Sequence, residues 1–186
     1  GRVLGSLFFN ESVRSSSLVK TAIAKLGGSY IDLPGEVTED HADVITSLAP
    51  FCDVLVLRSG EIDIESLRTR VKVPMINALC KGTEGEHTLS AVWQVCALHR
   101  LGILRQGIKV GVYGQSAHCR PYLTLQKVLA LYGAEIFHDP ILPELKNPDG
   151  VTRDIKQAGG SYTLARFGEF ADKIDLLLIA DGMPMM

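Results

Sequence analysis

Two rhythms of apolar residues alternate along this chain. Val3-Leu4-Gly5-Ser6-Leu7-Phe8-Phe9 is a short apolar run with a strand's composition. Leu18, Val19, Ala22, Ile23 and Leu26 then recur at three- and four-residue spacing, the period of an amphipathic helix. Gly27-Gly28 suits a left-handed cap on that helix. The pattern next predicts a strand over 29–33, a turn at Pro34-Gly35, and a helix over 38–49 with Ala42, Ile45 and Leu48 on one face. Val54-Leu55-Val56-Leu57 is continuously apolar, as in a strand buried on both faces of a parallel sheet. A short helix over 62–70, a strand over 73–76, a polar loop over 77–86 and a helix from His87 to Arg100 complete the first series.

Residues 101–107 read as a linker, and a second series follows. It predicts a strand over 109–113, a loop over 114–120, and a helix entered at Pro121, where the missing N–H costs nothing. That helix runs to Leu131, with Gly133 as its cap. Strands over 135–138, near 161–164 and over 175–180 alternate with helices near 151–158 and around 167–171. Such alternation implies parallel βαβ units, an α/β chain of two Rossmann-like parallel-sheet domains spanning 1–103 and 104–186. Ligands of such sheets bind beyond the strands' C-terminal ends.

Composition narrows the function. The 186 residues are 46% hydrophobic and 22% charged, with net charge −2. A globular core is available, and no basic footprint for nucleic acid or an anionic membrane is present. No apolar run reaches the roughly 18 residues of a membrane span. Cys52, Cys80, Cys96 and Cys119 lack C-x-x-C pairing, which argues against a metal site and fits reduced thiols in a cytoplasm. Gly111 and Gly114 do not complete a G-x-G-x-x-G fingerprint, so a dinucleotide site is weakly supported, although a nucleotide near Gly114 stays an option. No cofactor is expected.

The candidate chemistry gathers at the first strand-to-helix turn, Asn10-Glu11-Ser12-Val13-Arg14-Ser15-Ser16-Ser17. Free N–H groups at a helix start, the positive end of its dipole, serine hydroxyls and a guanidinium together suit a phosphate. The plainer reading is a serine-rich helix cap with a solvated arginine.

Ser12-Val13-Arg14-Ser15-Ser16, after paired phenylalanines, resembles the S-T-R-T-R phosphate motif of the aspartate and ornithine carbamoyltransferases. Val54-Leu55-Val56-Leu57-Arg58 is similar to the strand carrying that family's second phosphate-facing arginine. Val73-Pro74-Met75-Ile76-Asn77-Ala78, followed by His87, resembles its V-P-V-I-N-A run leading to H-P-T-Q. Val110-Gly111-Val112-Tyr113-Gly114 and then Arg120 match the strand and arginine that hold the second substrate's α-carboxylate.

The resemblance implies a carbamoyltransferase moving a carbamoyl group from carbamoyl phosphate to an amino-acid amine, in pyrimidine or arginine metabolism. Ser12, Arg14 and Ser15 would bind phosphate, with Ser15 near the carbonyl that Arg58 and His87 polarise. Ser16 and Ser90 stand where the family has its second arginine and its glutamine, and Arg120 and Asp181 would meet the second substrate. An acid at Asp181 disfavours aspartate as that substrate, unless it merely caps the turn Asp181-Gly182. The resemblance further implies a homotrimer, possibly with other pathway subunits. The family's lysine-bearing loop has no room at Leu33-Pro34-Gly35-Glu36-Val37, and the second domain is incomplete relative to the family. The chain is therefore expected to be a piece of such an enzyme or a degenerate relative, and a non-catalytic paralogue serving as an assembly or regulatory subunit is the alternative.

Overall fold

A computed structural model describes residues 1–9, 12–33, 38–81 and 87–180, less the side chains of Leu33 and His118. The expected turn at Pro34-Gly35 and the site residue Asp181 lie outside the described residues. The chain forms two compact units, Gly1–Leu89 and Ser90–Met186.

The first unit is a parallel sheet in the order β2-β1-β3-β4, built from β1 (Val3–Phe8), β2 (Ser29–Leu33), β3 (Val54–Asp63) and β4 (Met75–Lys81). Its helices are α1 (Val13–Lys25) and α2 (His41–Leu48). Both faces are apolar because both are covered. Leu4, Phe8 and Val56 pack with Val19 and Ile23 of α1, while Leu7, Leu55 and Leu57 pack with Ile45 of α2. Gly27 adopts φ 75° and Gly28 N–H bonds to the Ile23 carbonyl at 2.9 Å, closing α1 as its glycine pair predicts.

The end of β3 differs from the sequence expectation. No helix spans 62–70: β3 continues to Asp63, and only a single 3-10 turn, Ile64–Leu67, follows. The Ser59 hydroxyl accepts from the N–H groups of Glu61 and Ile62, shifting the register so that Asp63 pairs with Lys81. β4 likewise starts later and runs farther than 73–76, into the predicted loop. There Asn77 Oδ1 accepts from Leu79 and Cys80 N–H, both at 2.8 Å, supporting Leu79 at φ 97°.

The boundary between the units falls in the first turn of α3 (Thr88–Arg100), which carries the chain's only tryptophan, Trp93, 60% exposed. The second unit's parallel sheet has the order β7-β6-β5-β8, from β5 (Lys109–Gly114), β6 (Glu135–Asp139), β7 (Ser161–Leu164) and β8 (Leu176–Ala180). α4 (Arg120–Ala130), α5 (Asp149–Gln157) and α6 (Phe167–Phe170) connect them, close to the predicted bounds. Val110, Val112 and Ile136 face Leu125 and Leu129 of α4 and Ile155 of α5 in one core. On the other face Gly111 admits Phe170 and Ile174: a Cβ at 111 would stand 2.9 Å and 2.7 Å from them. Among the described residues no helix is long and apolar enough to cross a membrane.

Candidate functional site

A doubly wound sheet opens a crevice where strand order reverses, because the connections on either side leave for opposite faces. In the first unit that point lies where the pairing of β1 with β3 ends, at Phe8 and Arg58, five residues before β3 itself ends. The turn after β1 carries Ser12 to Ser16, so topology brings that turn and Arg58 to the same edge.

Ser12 is the N-cap residue of α1, with φ −157°, but its hydroxyl makes no capping bond. Its carbonyl accepts from Ser16 N–H at 2.9 Å. The serine-cap reading therefore fails at Ser12, whose hydroxyl is not spent on the helix. Among the described residues the first turn of α1 holds no acid, which leaves its dipole end suited to an anion. Arg14 is exposed, and Ser12, Ser15 and Ser16 are half-buried.

Arg58 is half-buried on the α1 side of the sheet. Its Nη1 donates a long 3.3 Å bond to the Ala78 carbonyl, and its Nε is buried with no partner. Burial pushes its pKa down, yet a guanidinium stays charged at physiological pH. The fold therefore holds a cation with unused donors at the switch point. Neighbouring Cys80 is kept neutral, its thiol pKa raised chiefly by burial.

His87 is buried just before α3, and Ser90 lies in the helix's first turn, accepting a 3.5 Å bond from Gln94 Nε2. One residue of this edge carried no sequence signal beyond its type. His41, at the start of α2, stacks on Phe9 with ring centroids 4.0 Å apart, and its Nδ1 lies 3.0 Å from Ser59 Oγ and 3.6 Å from Glu61.

In the second unit the switch point lies between β5 and β8. Gly114 takes φ 102°, and a Cβ there would fall on the Ala180 carbonyl oxygen. Gln115 N–H bonds to that same oxygen at 3.1 Å. A 3-10 turn, Ser116–His118, then delivers Arg120 as the exposed first residue of α4. Among the described residues no group of three or more His, Cys, Asp or Glu side chains is placed to hold a metal ion.

These features define a doubly wound α/β protein with an anion-suited switch point. The family model for the aspartate/ornithine carbamoyltransferase carbamoyl-phosphate-binding domain matches residues 1–99, and the chain belongs to that family. The aspartate carbamoyltransferase catalytic subunit of Methanopyrus kandleri is 27% identical over 187 residues, covering 96% of this chain and 60% of the relative. The aspartate transcarbamoylase of Trypanosoma cruzi in complex with phosphate superposes with TM-score 0.79 at 29% identity, covering 96% of this chain and 61% of that one. The M. jannaschii catalytic subunit shares the fold, with TM-score 0.79 at 23% identity. The chain thus spans about 60% of the length of these relatives.

Proposed function

We propose that the first unit binds carbamoyl phosphate and that the protein acts as a carbamoyltransferase toward an amino-acid amine held by the second unit. One observation carries this reading: the half-buried Arg58, its Nε unpartnered, stands at the switch point on the same edge as the start of α1. An amine attacks the carbamoyl carbon and forms the C–N bond. The C–O bond to phosphate breaks, phosphate leaves with the electron pair, and the amine gives up a proton. Positioning and preorganised positive charge are enough to lower such a barrier. Ser12, Arg14, Ser15 and Ser16 cradle the phosphate, Arg58 and His87 polarise the carbonyl, and Ser90 borders the carbamoyl group. Arg120 takes the acceptor's carboxylate.

The relatives' names point to aspartate as acceptor, whereas a carboxylate at Asp181 argues for a neutral or cationic side chain. A competition assay among aspartate, ornithine and neutral amino acids separates the two. The catalytically silent alternative rests on the departures at Ser16 and Ser90 and on the lack of room for the family's lysine-bearing loop. The same reading makes the protein a cytoplasmic homotrimer.

The test is calorimetric titration with carbamoyl phosphate. Arg14 contributes charge-assisted bonds of about 1.5–3 kcal/mol, so Arg14→Ala weakens binding roughly ten- to hundredfold. Absence of saturable binding of carbamoyl phosphate or inorganic phosphate at millimolar ligand defeats the assignment.

A further inference from the structure

A buried polar network beneath the second switch point has no part in the chemistry above. His138 lies on β6, fully buried. Its Nε2 is 3.0 Å from the Gly114 carbonyl oxygen and 3.3 Å from Ser116 Oγ. A carbonyl only accepts, so Nε2 carries the proton and Nδ1 is left as an acceptor. Tyr162 O–H, 2.6 Å from Nδ1, supplies the matching donor. The Tyr162 oxygen in turn accepts from Asn147 N–H at 3.3 Å. The Ser116 hydroxyl donates to Asn147 Oδ1, and Asn147 Nδ2 donates to Gln126 Oε1 at 2.7 Å. The neutral, Nε2-protonated ring thus satisfies every one of these links. Burial favours that form, lowering the His138 pKa, and pushes Tyr162 up to about 12. The Asp139 carboxylate is engaged elsewhere, accepting from Ile141 N–H at 3.1 Å and Phe167 N–H at 2.8 Å.

The network joins the β5–α4 loop, α4, the segment before α5, and β7. Apolar side chains of equal volume would hold these elements together at less desolvation cost. What the polar version adds is direction. It fixes the carbonyl of Gly114, a residue at φ 102°, and the hydroxyl of Ser116, the first residue of the 3-10 turn before Arg120. Among the described residues the Arg120 guanidinium makes no hydrogen bond or ion pair, so only its backbone places it.

We propose that His138 is a positioning residue for the second substrate, clamping residues 114–119 so that Arg120 is presented in one place at the switch point. The proposal rests on the reading of Arg120 as the acceptor's carboxylate anchor. Its test compares His138→Leu, His138→Gln, Ser116→Ala and Arg120→Ala in the full chain. The readouts are amide hydrogen exchange across 115–120 and calorimetric titration with inorganic phosphate and with aspartate and ornithine. His138→Leu and Ser116→Ala speed loop exchange about tenfold. They also weaken whichever amino acid binds the wild type roughly fivefold or more, with phosphate affinity unchanged. His138→Gln, whose amide N–H still reaches the Gly114 carbonyl, recovers most of both. Unchanged loop exchange in folded variants overturns the clamp, as does faster exchange with full acceptor affinity. If Arg120→Ala leaves acceptor binding intact, or the wild type binds no acceptor, the anchor reading fails, and loop exchange alone judges the clamp. Should His138→Leu not fold, Ser116→Ala, which removes one hydroxyl, decides.

Discussion

Replacing Arg58 by methionine is expected to separate binding from stability. Among the described residues the guanidinium makes one hydrogen bond, the 3.3 Å contact to the Ala78 carbonyl, while its Nε is buried without a partner. Losing the bond costs about 1 kcal/mol. Against this, the variant no longer desolvates a cation, a penalty of several kcal/mol per fully buried ion. Arg58 is only half-buried, so a fraction of that penalty is recovered. Methionine keeps the unbranched stem and fills the space. The two terms leave stability unchanged or raised by about 1 kcal/mol. Phosphate binding moves the other way, because a charge-assisted interaction of about 1.5–3 kcal/mol disappears, a loss of roughly ten- to hundredfold in affinity. Urea unfolding and calorimetric titration of the same samples check both halves. A lowered urea midpoint with undiminished phosphate affinity would show that Arg58 is a structural residue and sink the argument.

Four further outcomes are expected, three from the geometry and the last from the proposed function. Gly114→Ala forces a Cβ onto the Ala180 carbonyl at φ 102° and is expected to cost about 2–4 kcal/mol in urea unfolding, with a loss under about 1 kcal/mol counting against the described loop. The lowered His138 pKa gives stability that is full above the ordinary value of 6.5 and declines as pH falls through it, because the unfolded chain takes up the proton first; urea midpoints at falling pH should show this limb, and His138→Gln should flatten it. Tyr162 acts oppositely, since the unfolded phenol ionises near 10 while the folded one waits until about 12, so stability falls between those values and Tyr162→Phe removes that limb. Light scattering at micromolar concentration is expected to report a trimer, and a monomer there would weaken the catalytic reading as well.

The elements that periodicity revealed are those whose partners are local or whose burial is complete. β1, α1 and its glycine cap were legible because Leu18 to Leu26 repeat at helical spacing and Gly27 can take φ 75°. Val54 to Leu57 read as a buried strand because helices cover both faces. The far end of β3 was not legible. Ile64 and Leu67, three residues apart, fit a helical face, and only the pairing of Asp63 with Lys81, together with the Ser59 bulge, keeps the chain extended to Asp63 and leaves a single 3-10 turn after it. Motif resemblance placed Arg120 at a helix start, where the fold has it, but put Arg58 at a strand end although β3 runs on to Asp63, and could not reveal that Arg58 Nε lacks a partner or that Ser12 does not cap α1. The His138 network was missed although one signal existed. Gln126 shares the helical face of Leu123 and Leu129, a polar residue on a buried stripe that demands partners.

α3 has an optical consequence. Trp93, the sole indole of the chain, is 60% exposed, and Cys96 less than one turn away is the one exposed thiol. Emission of the folded protein therefore reports a wetted indole from a single known address, with no second fluorophore of its kind to dilute the reading. A dye coupled to Cys96 would sit within a few ångströms of it and quench it strongly. Whatever comes to rest on the outer face of α3, another copy of the chain or a different protein, will announce itself as a blue shift and as slower labelling of the thiol.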